Sequence, residues 1–243
     1  MAASAWGYGS KYDVESGSLL YPGIDATENM LRWGFVRKVY GIVGTQLALT
    51  AVVAGVFMQS PGVQAFFLGS VALQVLLLVG SLAALIPLYM FKDQHPHNLG
   101  FLGLWTLLMS VTVGMATSLY APSVVLEALV LTAGVVFALT AYSFYATKRG
   151  VDFGWMGPLF ATTLWVMLLW GVIQLFFHPG PVARTVYALL GALLFAGYLV
   201  LDTQLLIQRF ELDDYVWASV TIYLDVINLF LHILRLVGDQ RNN

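Results

Sequence analysis

Residues 221–235 read TIYLDVINLFLHILR and carry one acid, Asp225, inside an otherwise apolar run. A charged acid near the centre of a bilayer costs about 2.5–3.5 kcal/mol on insertion scales, so such residues normally face a protein interior or a water cavity. Five polar residues of the segment recur at spacings of four and three, which predicts one polar helical face. They are Thr221, Asp225, Asn228, His232 and Arg235. Lipid is expected against the opposite, apolar face, which carries Ile222, Val226, Leu229, Ile233 and Leu236.

A second acid, Asp202, lies about six residues before the end of the preceding apolar segment, and Asp225 lies about eleven residues into its own. At ~1.5 Å per residue these depths are roughly 9 and 16 Å, which lets the two side chains meet across an antiparallel hairpin. Two such carboxylates tend to share one proton, so we expect the pair to be a pH sensor. The singly protonated pair would clamp the two helices with a hydrogen bond. The doubly charged pair would repel and offer oxygens to a cation.

A third acid, Glu127, is predicted about five residues inside another span, from the opposite membrane face. Acids at two depths suit an ion pathway for Ca²⁺, which prefers carboxylate and carbonyl oxygens. Two or three carboxylates supply fewer than the 6–8 oxygens of a tight calcium site, so we expect transient Ca²⁺ binding at Asp202 and Asp225. Ca²⁺ is then the permeant ion, and no cofactor is expected. For each acid alone the alternative is a neutral carboxyl bonded to a neighbouring helix, and His232 alone is expected to be a satisfied core histidine.

The elements that must position these residues are membrane-spanning helices. Of the 243 residues, 59 % are hydrophobic and 10 % are charged, whereas soluble domains carry roughly 25 % charged residues. Pro, Gly and charged residues divide the chain into seven apolar segments of about 20 residues or more, which predicts an all-α bundle of seven transmembrane helices. The predicted spans are 35–58, 63–91, 99–119, 123–145, 154–177, 182–207 and 214–237.

Three parts are therefore predicted: a mobile cytoplasmic tail over 1–34, a transmembrane domain over 35–238 and a short carboxyl-terminal tail over 239–243. Eight of the eleven basic residues fall on the side of the amino terminus and three on the other, which predicts a cytoplasmic amino terminus. The three are Arg184, Arg235 and Arg241. Because two of them, Arg235 and Arg241, lie at or beyond the end of the last span, that span could re-enter the membrane rather than cross it.

Small residues inside the spans are expected to let helices approach closely, since lipid gives helices no hydrophobic reason to associate. The residues concerned are Gly41, Gly44, Gly134, Ala138, Ala141, Gly191 and Gly197.

Several classes of protein are disfavoured. The basic residues are scattered and the net charge is −2, so no nucleic-acid partner is expected. Cysteine is absent, which excludes disulfides and thiolate sites. An intramembrane aspartyl protease also needs two neighbouring aspartates, but LVL precedes Asp202 where such proteases have GxG, and no other catalytic motif is present. No enzyme is therefore expected. A non-conducting scaffold that binds cell-death regulators remains the main alternative to a channel.

Four segments resemble the Bax inhibitor-1 or transmembrane Bax inhibitor motif (TMBIM) family, lifeguard branch, and are most similar to plant lifeguard proteins. They are LRWGFVRKVYGIVGTQLALT at 31–50, VVLEALVLTAGVVFALTAYSFYATKRGVDF at 124–153, GYLVLDTQLLI at 197–207 and IYLDVINLFLHILRLVG at 222–238.

The resemblance implies a seven-helix bundle with the last helix at its centre, acting as a pH-sensitive calcium leak in the endoplasmic reticulum, Golgi or another internal membrane. It further implies suppression of stress-induced cell death, with the bilayer, calcium, protons and cell-death regulatory membrane proteins as partners. The family's paired aspartates map onto Asp202 and Asp225, and its acid in span four maps onto Glu127. Some bacterial relatives latch the span-six aspartate with an arginine. The nearest cation here is Lys92, which makes a point contact rather than a bidentate clamp.

Overall fold

The computed structural model of the chain describes residues 19–92, 94–177 and 180–241. Nine α-helices and one short 3₁₀ turn, Gly154–Met156, make up the regular structure of these ranges. The helices are α1 (Ala26–Gln59), α2 (Pro61–Leu68), α3 (Val71–Ala83), α4 (Leu85–Met90), α5 (His97–Thr117), α6 (Pro122–Lys148), α7 (Gly157–Phe176), α8 (Pro181–Gln208) and α9 (Tyr215–Arg241). Residues 1–18, which hold Lys11 and most of the predicted tail, and residues 242–243 lie outside the described ranges.

Seven stretches of helix are long and apolar enough to cross a membrane, which confirms the prediction of an all-α protein with seven spans. Six of them are α1, α5, α6, α8, α9 and the stretch Gly154–Gln174, and the seventh joins α3 to α4 over Val71–Met90. The last span is one continuous helix of 27 residues. Its length is about 40 Å at 1.5 Å per residue, more than the roughly 30 Å hydrocarbon core, so α9 is long enough to cross the membrane.

The predicted tail is too long, because α1 begins at Ala26 rather than at residue 35. Asp25 caps this helix: its side-chain oxygen accepts hydrogen bonds from the backbone N–H groups of Thr27 at 2.8 Å and Glu28 at 2.9 Å. Capping by an acid satisfies amide groups that the first turn leaves free, so a helix can begin within a polar sequence. At the other end of the chain, α9 continues through Arg241 and takes up most of the predicted carboxyl-terminal tail.

The predicted second span, 63–91, is also interrupted. Helix α2 ends at Leu68, and Ser70 caps the start of α3 by accepting from the Leu73 N–H at 3.3 Å. A second break follows Ala83, four residues before Pro87. Proline lacks an N–H and its ring clashes with the carbonyl four residues earlier, which accounts for this second break.

Helix α9 lies at the centre of the bundle and packs against α1, α5, α6 and α8. In the apolar stretch of α9 that could span the membrane, 67 % of the residues are buried, whereas in the span Gly154–Gln174 only 6 % are. The prediction that its apolar face contacts lipid is therefore wrong: Ile222, Val226 and Leu229 are 1 %, 7 % and 2 % exposed. A helix surrounded by other helices meets protein on every side, so amphipathicity alone does not indicate a lipid face.

The small residues divide into two groups. A Cβ atom added to Gly191 would lie 2.2 Å from the His232 ring, and one added to Gly197 would lie 2.6 Å from the Phe160 ring, so both glycines allow close helix packing as predicted. At Gly41, Gly44 and Gly134 an added Cβ meets no atom within 4 Å. These three, like Ala138 and Ala141, face outward, so they do not serve packing within the bundle.

Candidate functional site: a buried pair of aspartates

The hairpin of α8 and α9 brings Asp202 and Asp225 together. Asp202 lies six residues before the end of α8, and Asp225 lies ten residues after the start of α9. Their carboxyl groups are within hydrogen-bonding reach of each other. Asp225 is only 4 % exposed, and its Oδ2 has no hydrogen-bond partner among the described residues. Two carboxyl groups at this separation can share a hydrogen bond only when one of them carries a proton.

The residues that follow Asp202 hold α8 in place. Thr203 shares a hydrogen bond of 3.2 Å with Tyr40 of α1. Gln204 accepts from the Phe153 N–H at 2.7 Å and donates to the Val151 carbonyl, which ties α8 to the loop after α6. Asp202 is therefore carried by a helix whose neighbouring side chains are anchored on two other elements.

The rest of the predicted polar face of α9 does not converge on the two aspartates. The Thr221 hydroxyl donates to the Ala218 carbonyl at 3.0 Å, and the Asn228 amide donates to the Leu224 carbonyl at 2.8 Å, so both side chains bond their own helix. Arg235 is exposed. Among the described neighbours, the polar face thus provides one pair of acids rather than a continuous polar wall.

His232 is buried in an aromatic cluster against α8. Its ring centroid lies 5.6 Å from that of Tyr187 and 5.7 Å from that of Phe195, and Gly191 leaves the space that the ring occupies. Its Nδ1 has no hydrogen-bond partner in the described part of the chain. His232 is therefore a buried histidine of the core, with Nδ1 left unpartnered by the described residues.

Lys92 is anchored at the start of α9. Its Nζ lies 2.6 Å from Asp214 Oδ1, one residue before the helix begins. The next residue, Tyr215, accepts from the Asn98 amide at 2.7 Å, and the Lys38 ammonium lies 3.1 Å from the centre of the Tyr215 ring. Lys92 is therefore placed to hold the end of the central helix through Asp214. Beside these residues is a polar cavity of about 650 Å³, lined by Lys38, Lys92, His95, Asn98, Glu211, Asp213, Asp214 and Tyr215.

Glu127 lies away from the two aspartates. Its Oε2 is 2.9 Å from Nη2 of Arg241, which also donates through Nη1 to the Ser123 hydroxyl at 2.7 Å. Arg241 is sixteen residues after Asp225 on the same helix, about 24 Å at 1.5 Å per residue. Both side chains are about half exposed, so Glu127 is an ion-paired acid near a helix end and not an unpaired acid inside the bundle.

We expect Glu127→Gln to leave the pH dependence of any ion flux unchanged, because the ion pair with Arg241 is remote from Asp202 and Asp225. A half-exposed ion pair contributes about 0.2–1 kcal/mol, so the variant should also fold. The measurement is calcium flux in liposomes at several pH values, beside the unmodified protein. A shift of the pH profile would place Glu127 in the sensor.

A buried polar network lies on another flank of α9. It contains no charged residue, so a search of the spans for charged residues does not find it. Tyr223 shares a hydrogen bond of 2.8 Å with Thr50 of α1, which in turn shares one of 3.0 Å with Ser110 of α5. Gln46 donates to the Thr106 hydroxyl at 2.9 Å. The sequence signal is the four-residue spacing of polar residues within apolar spans, in α1 at 46 and 50 and in α5 at 106 and 110. This network holds α9 to α1 and α5 through groups that do not titrate near neutral pH.

The described residues place few side chains together that could coordinate a metal ion. No group of three or more His, Asp or Glu side chains is placed to hold a metal ion within residues 19–92, 94–177 and 180–241. Asp202 and Asp225 together offer at most four oxygens, fewer than a tight calcium site requires. The pair can therefore contact a passing Ca²⁺ only when both carboxyl groups are available as acceptors.

The sequence of the chain is similar to that of a known protein family over most of its length. The family described as inhibitor of apoptosis-promoting Bax1 matches residues 32–242. The BI1-like protein of Arabidopsis thaliana is 44 % identical over 237 residues, which cover 96 % of this chain and 93 % of that relative. LIFEGUARD 2 of the same plant is 39 % identical over 234 residues, covering 95 % and 98 %. The Golgi anti-apoptotic protein of vaccinia virus (strain Lister) is 35 % identical over 207 residues, covering 85 % and 86 %.

These similarities extend over nearly the whole length of the chain, and the family match includes the hairpin of α8 and α9 with both aspartates. The similarity therefore applies to the whole membrane domain and not to a shared fragment. The chain belongs to the Bax inhibitor family, with plant lifeguard proteins among its relatives.

Proposed function

We propose that this protein is a pH-sensitive calcium leak channel of an internal membrane, and that it modulates calcium homeostasis and suppresses stress-induced cell death. The observation that carries the proposal is the contact between Asp202 and Asp225, buried between α8 and the central helix. Among the described residues Asp225 is the one Asp or Glu that is fully buried, and Asp202 beside it is partly buried.

The pair couples protonation to helix packing. With one proton, the two carboxyl groups share a hydrogen bond that holds α8 against α9. Without it, two like charges a few ångströms apart repel strongly in a medium of low dielectric constant. The same oxygens then become acceptors for a divalent cation. The protonated pair is the closed state, and loss of its proton favours opening.

The polar cavity beside Lys92 and Asp214 supports the proposal that cations enter at the start of α9. It adjoins the start of α9 and includes the acidic side chains of Glu211 and Asp213. Asp225 lies ten residues further along that helix, about 15 Å at 1.5 Å per residue. A cation moving along α9 from this cavity would meet the aspartate pair about halfway across the hydrocarbon core, which is about 30 Å thick.

The names of the relatives support the cellular role. The matched family is described as inhibiting apoptosis-promoting Bax1, and the viral relative is named a Golgi anti-apoptotic protein. We extend cell-death suppression and an internal membrane to this chain on that basis. We propose a non-enzymatic function, because LVL precedes Asp202 where intramembrane aspartyl proteases carry GxG.

The amino terminus is proposed to be cytoplasmic, because basic residues concentrate on its side of the spans. In sealed microsomes, an epitope tag at the amino terminus should be removed by added protease, whereas a tag at the carboxyl terminus should be protected. The reverse pattern would overturn this orientation.

The leak itself is tested with the purified full chain in liposomes that contain a calcium indicator. We expect calcium influx that protein-free liposomes lack and that changes with pH near neutrality. Absence of flux at every pH would instead favour a non-conducting scaffold that binds cell-death regulators. Cleavage of a membrane peptide that required both aspartates would identify an intramembrane protease.

A further inference from the structure

An apolar groove runs between α1 and α6 on the membrane-facing side of the bundle. Each of these helices packs on α9, and the space left between them has a volume of about 650 Å³. Its walls include small residues, among them Ala51 and Gly55 of α1 and Ala133 of α6. Its floor is the central helix, through Val226, Ile227 and Phe230. The groove therefore gives the surrounding bilayer direct access to α9 one residue away from Asp225.

The dimensions of the groove favour a single hydrocarbon chain. The floor residues are only 4–7 % exposed, so the groove is narrow at its base. A helix with its side chains is about 10–12 Å wide and could not reach that floor. At about 30 Å³ for each water-sized group, 650 Å³ holds roughly twenty such groups, about the number of carbons in a long acyl chain. Lipid acyl chains are also the most abundant apolar molecules at this surface.

One end of the groove has the charge to bind a phosphate group. Pro122 lines that end, and the adjacent Ser123 accepts a hydrogen bond from Arg241. Arg241 is half exposed and has five N–H donors, of which its contacts with Ser123 and Glu127 use two. Glu127 neutralises part of this charge. At this end of the bundle the described residues include three arginines, Arg184, Arg235 and Arg241, against two acids, Glu127 and Asp239.

We propose that the groove binds one phospholipid, with an acyl chain against α9 and its phosphate at Arg241. The combination of an apolar channel with an arginine at its membrane-surface end matches the two parts of such a lipid. Binding does not depend on calcium conduction, so this proposal and the proposed leak can fail separately. A bound chain would lie against the helix that carries Asp225, and its removal would loosen the packing of α9.

The test uses the full chain in phosphatidylcholine vesicles that contain a phosphatidylcholine with a photoreactive diazirine on one acyl chain. After illumination, we expect labelled peptides to include the groove floor around Phe230, which a lipid that stays outside the groove cannot reach. Labelling spread over the outer faces of all helices without the floor would overturn the proposal. Cross-links at the groove between two copies of the chain would overturn it as well.

Variants that fill the groove provide a second test of lipid binding. An added Cβ at Gly55 meets no atom within 4 Å, and the same holds for Gly80 of α3, which lies outside the groove. Gly55→Leu should lower labelling of the floor about tenfold, or about 1.4 kcal/mol of binding free energy, whereas Gly80→Leu should not change it. Ala133→Leu on the opposite wall should act like Gly55→Leu. Equal labelling in all four proteins would rule out a site in the groove.

The phosphate contact is tested with Arg241→Gln and a fatty alcohol that carries the same diazirine but no phosphate. The variant should weaken labelling by the phospholipid and leave labelling by the alcohol unchanged. An equal loss with both probes would show that Arg241 acts on the groove itself, and no loss with either would remove Arg241 from the site.

Discussion

Asp202→Asn and Asp225→Asn should each abolish the change of calcium flux with pH near neutrality. An asparagine amide resembles a protonated carboxyl group in shape, but it cannot lose a proton. The partner aspartate then has no second acid beside it, so its charge no longer repels a like charge between the two helices. The measurement is calcium influx into liposomes with the purified chain between about pH 5 and 8, where one titrating proton changes a population by up to about tenfold per pH unit.

The sign of the pH response follows from which state is closed. Because the single proton supplies the hydrogen bond between α8 and α9, flux of the unmodified protein should rise as the pH is raised through the titration of the pair. Glu127→Gln is the matched control, since it removes an acid whose ion pair is remote from the aspartates. A normal pH profile in both aspartate variants would refute the sensor. A flux that falls as the pH rises would keep the sensor and make the protonated state the open one.

The arrangement of this hairpin could be predicted because it depends on local geometry. A helix rises by a fixed distance per residue, and a short loop requires the next helix to return antiparallel. Counting residues from the loop at 209–214 therefore places Asp202 and Asp225 near one another without knowledge of the other helices. The seven spans are predictable for a similar reason, since each must bury about 20 apolar residues in the bilayer.

The neighbours of α9 could not be predicted in this way, because they depend on which helices pack together. Polar spacing alone suggested lipid against Ile222, yet that face packs against protein. The depth of Glu127 in its span predicts a further acid of the ion pathway, whereas the structure pairs its side chain with Arg241 at the far end of α9. Tyr223 makes its hydrogen bond with Thr50, 173 residues away along the chain. Such contacts follow from the tertiary arrangement and leave only weak traces in the sequence.

The two flanks of α9 differ in how they respond to protons. On the flank of α1 and α5, Tyr223 and Thr50 belong to a network of neutral hydroxyl and amide groups. On the flank of α8 lies the pair Asp202 and Asp225, the proposed pH sensor. In the proposed function, a change of pH acts on the contact between α8 and α9 and leaves the contacts of α9 with α1 and α5 unchanged. The free energy of packing α8 against α9 then determines how the bundle responds to pH.

Gly191→Ala should destabilise the protein because it removes the space that His232 occupies between the two helices. The added Cβ would lie 2.2 Å from the imidazole, whose ring is already packed between Tyr187 and Phe195. Overpacking of this kind costs about 1–3 kcal/mol. The free energy of unfolding in detergent micelles, from denaturant titration followed by tryptophan fluorescence, measures the effect. Gly134→Ala is the matched control, since its added Cβ meets no atom within 4 Å, and it should be neutral or stabilise the helix by up to about 1 kcal/mol.

His232→Ala provides the decisive comparison, because it empties the space that the new methyl group needs. Alone it should destabilise by leaving a cavity in the aromatic cluster. Combined with Gly191→Ala, the methyl group enters that cavity, so the double variant should be more stable than the sum of the two losses predicts by about 0.5–3 kcal/mol. Additive losses would show that Gly191 and His232 do not contact each other. A favourable coupling would show that this close contact sets the spacing between α8 and α9 on which the meeting of Asp202 with Asp225 depends.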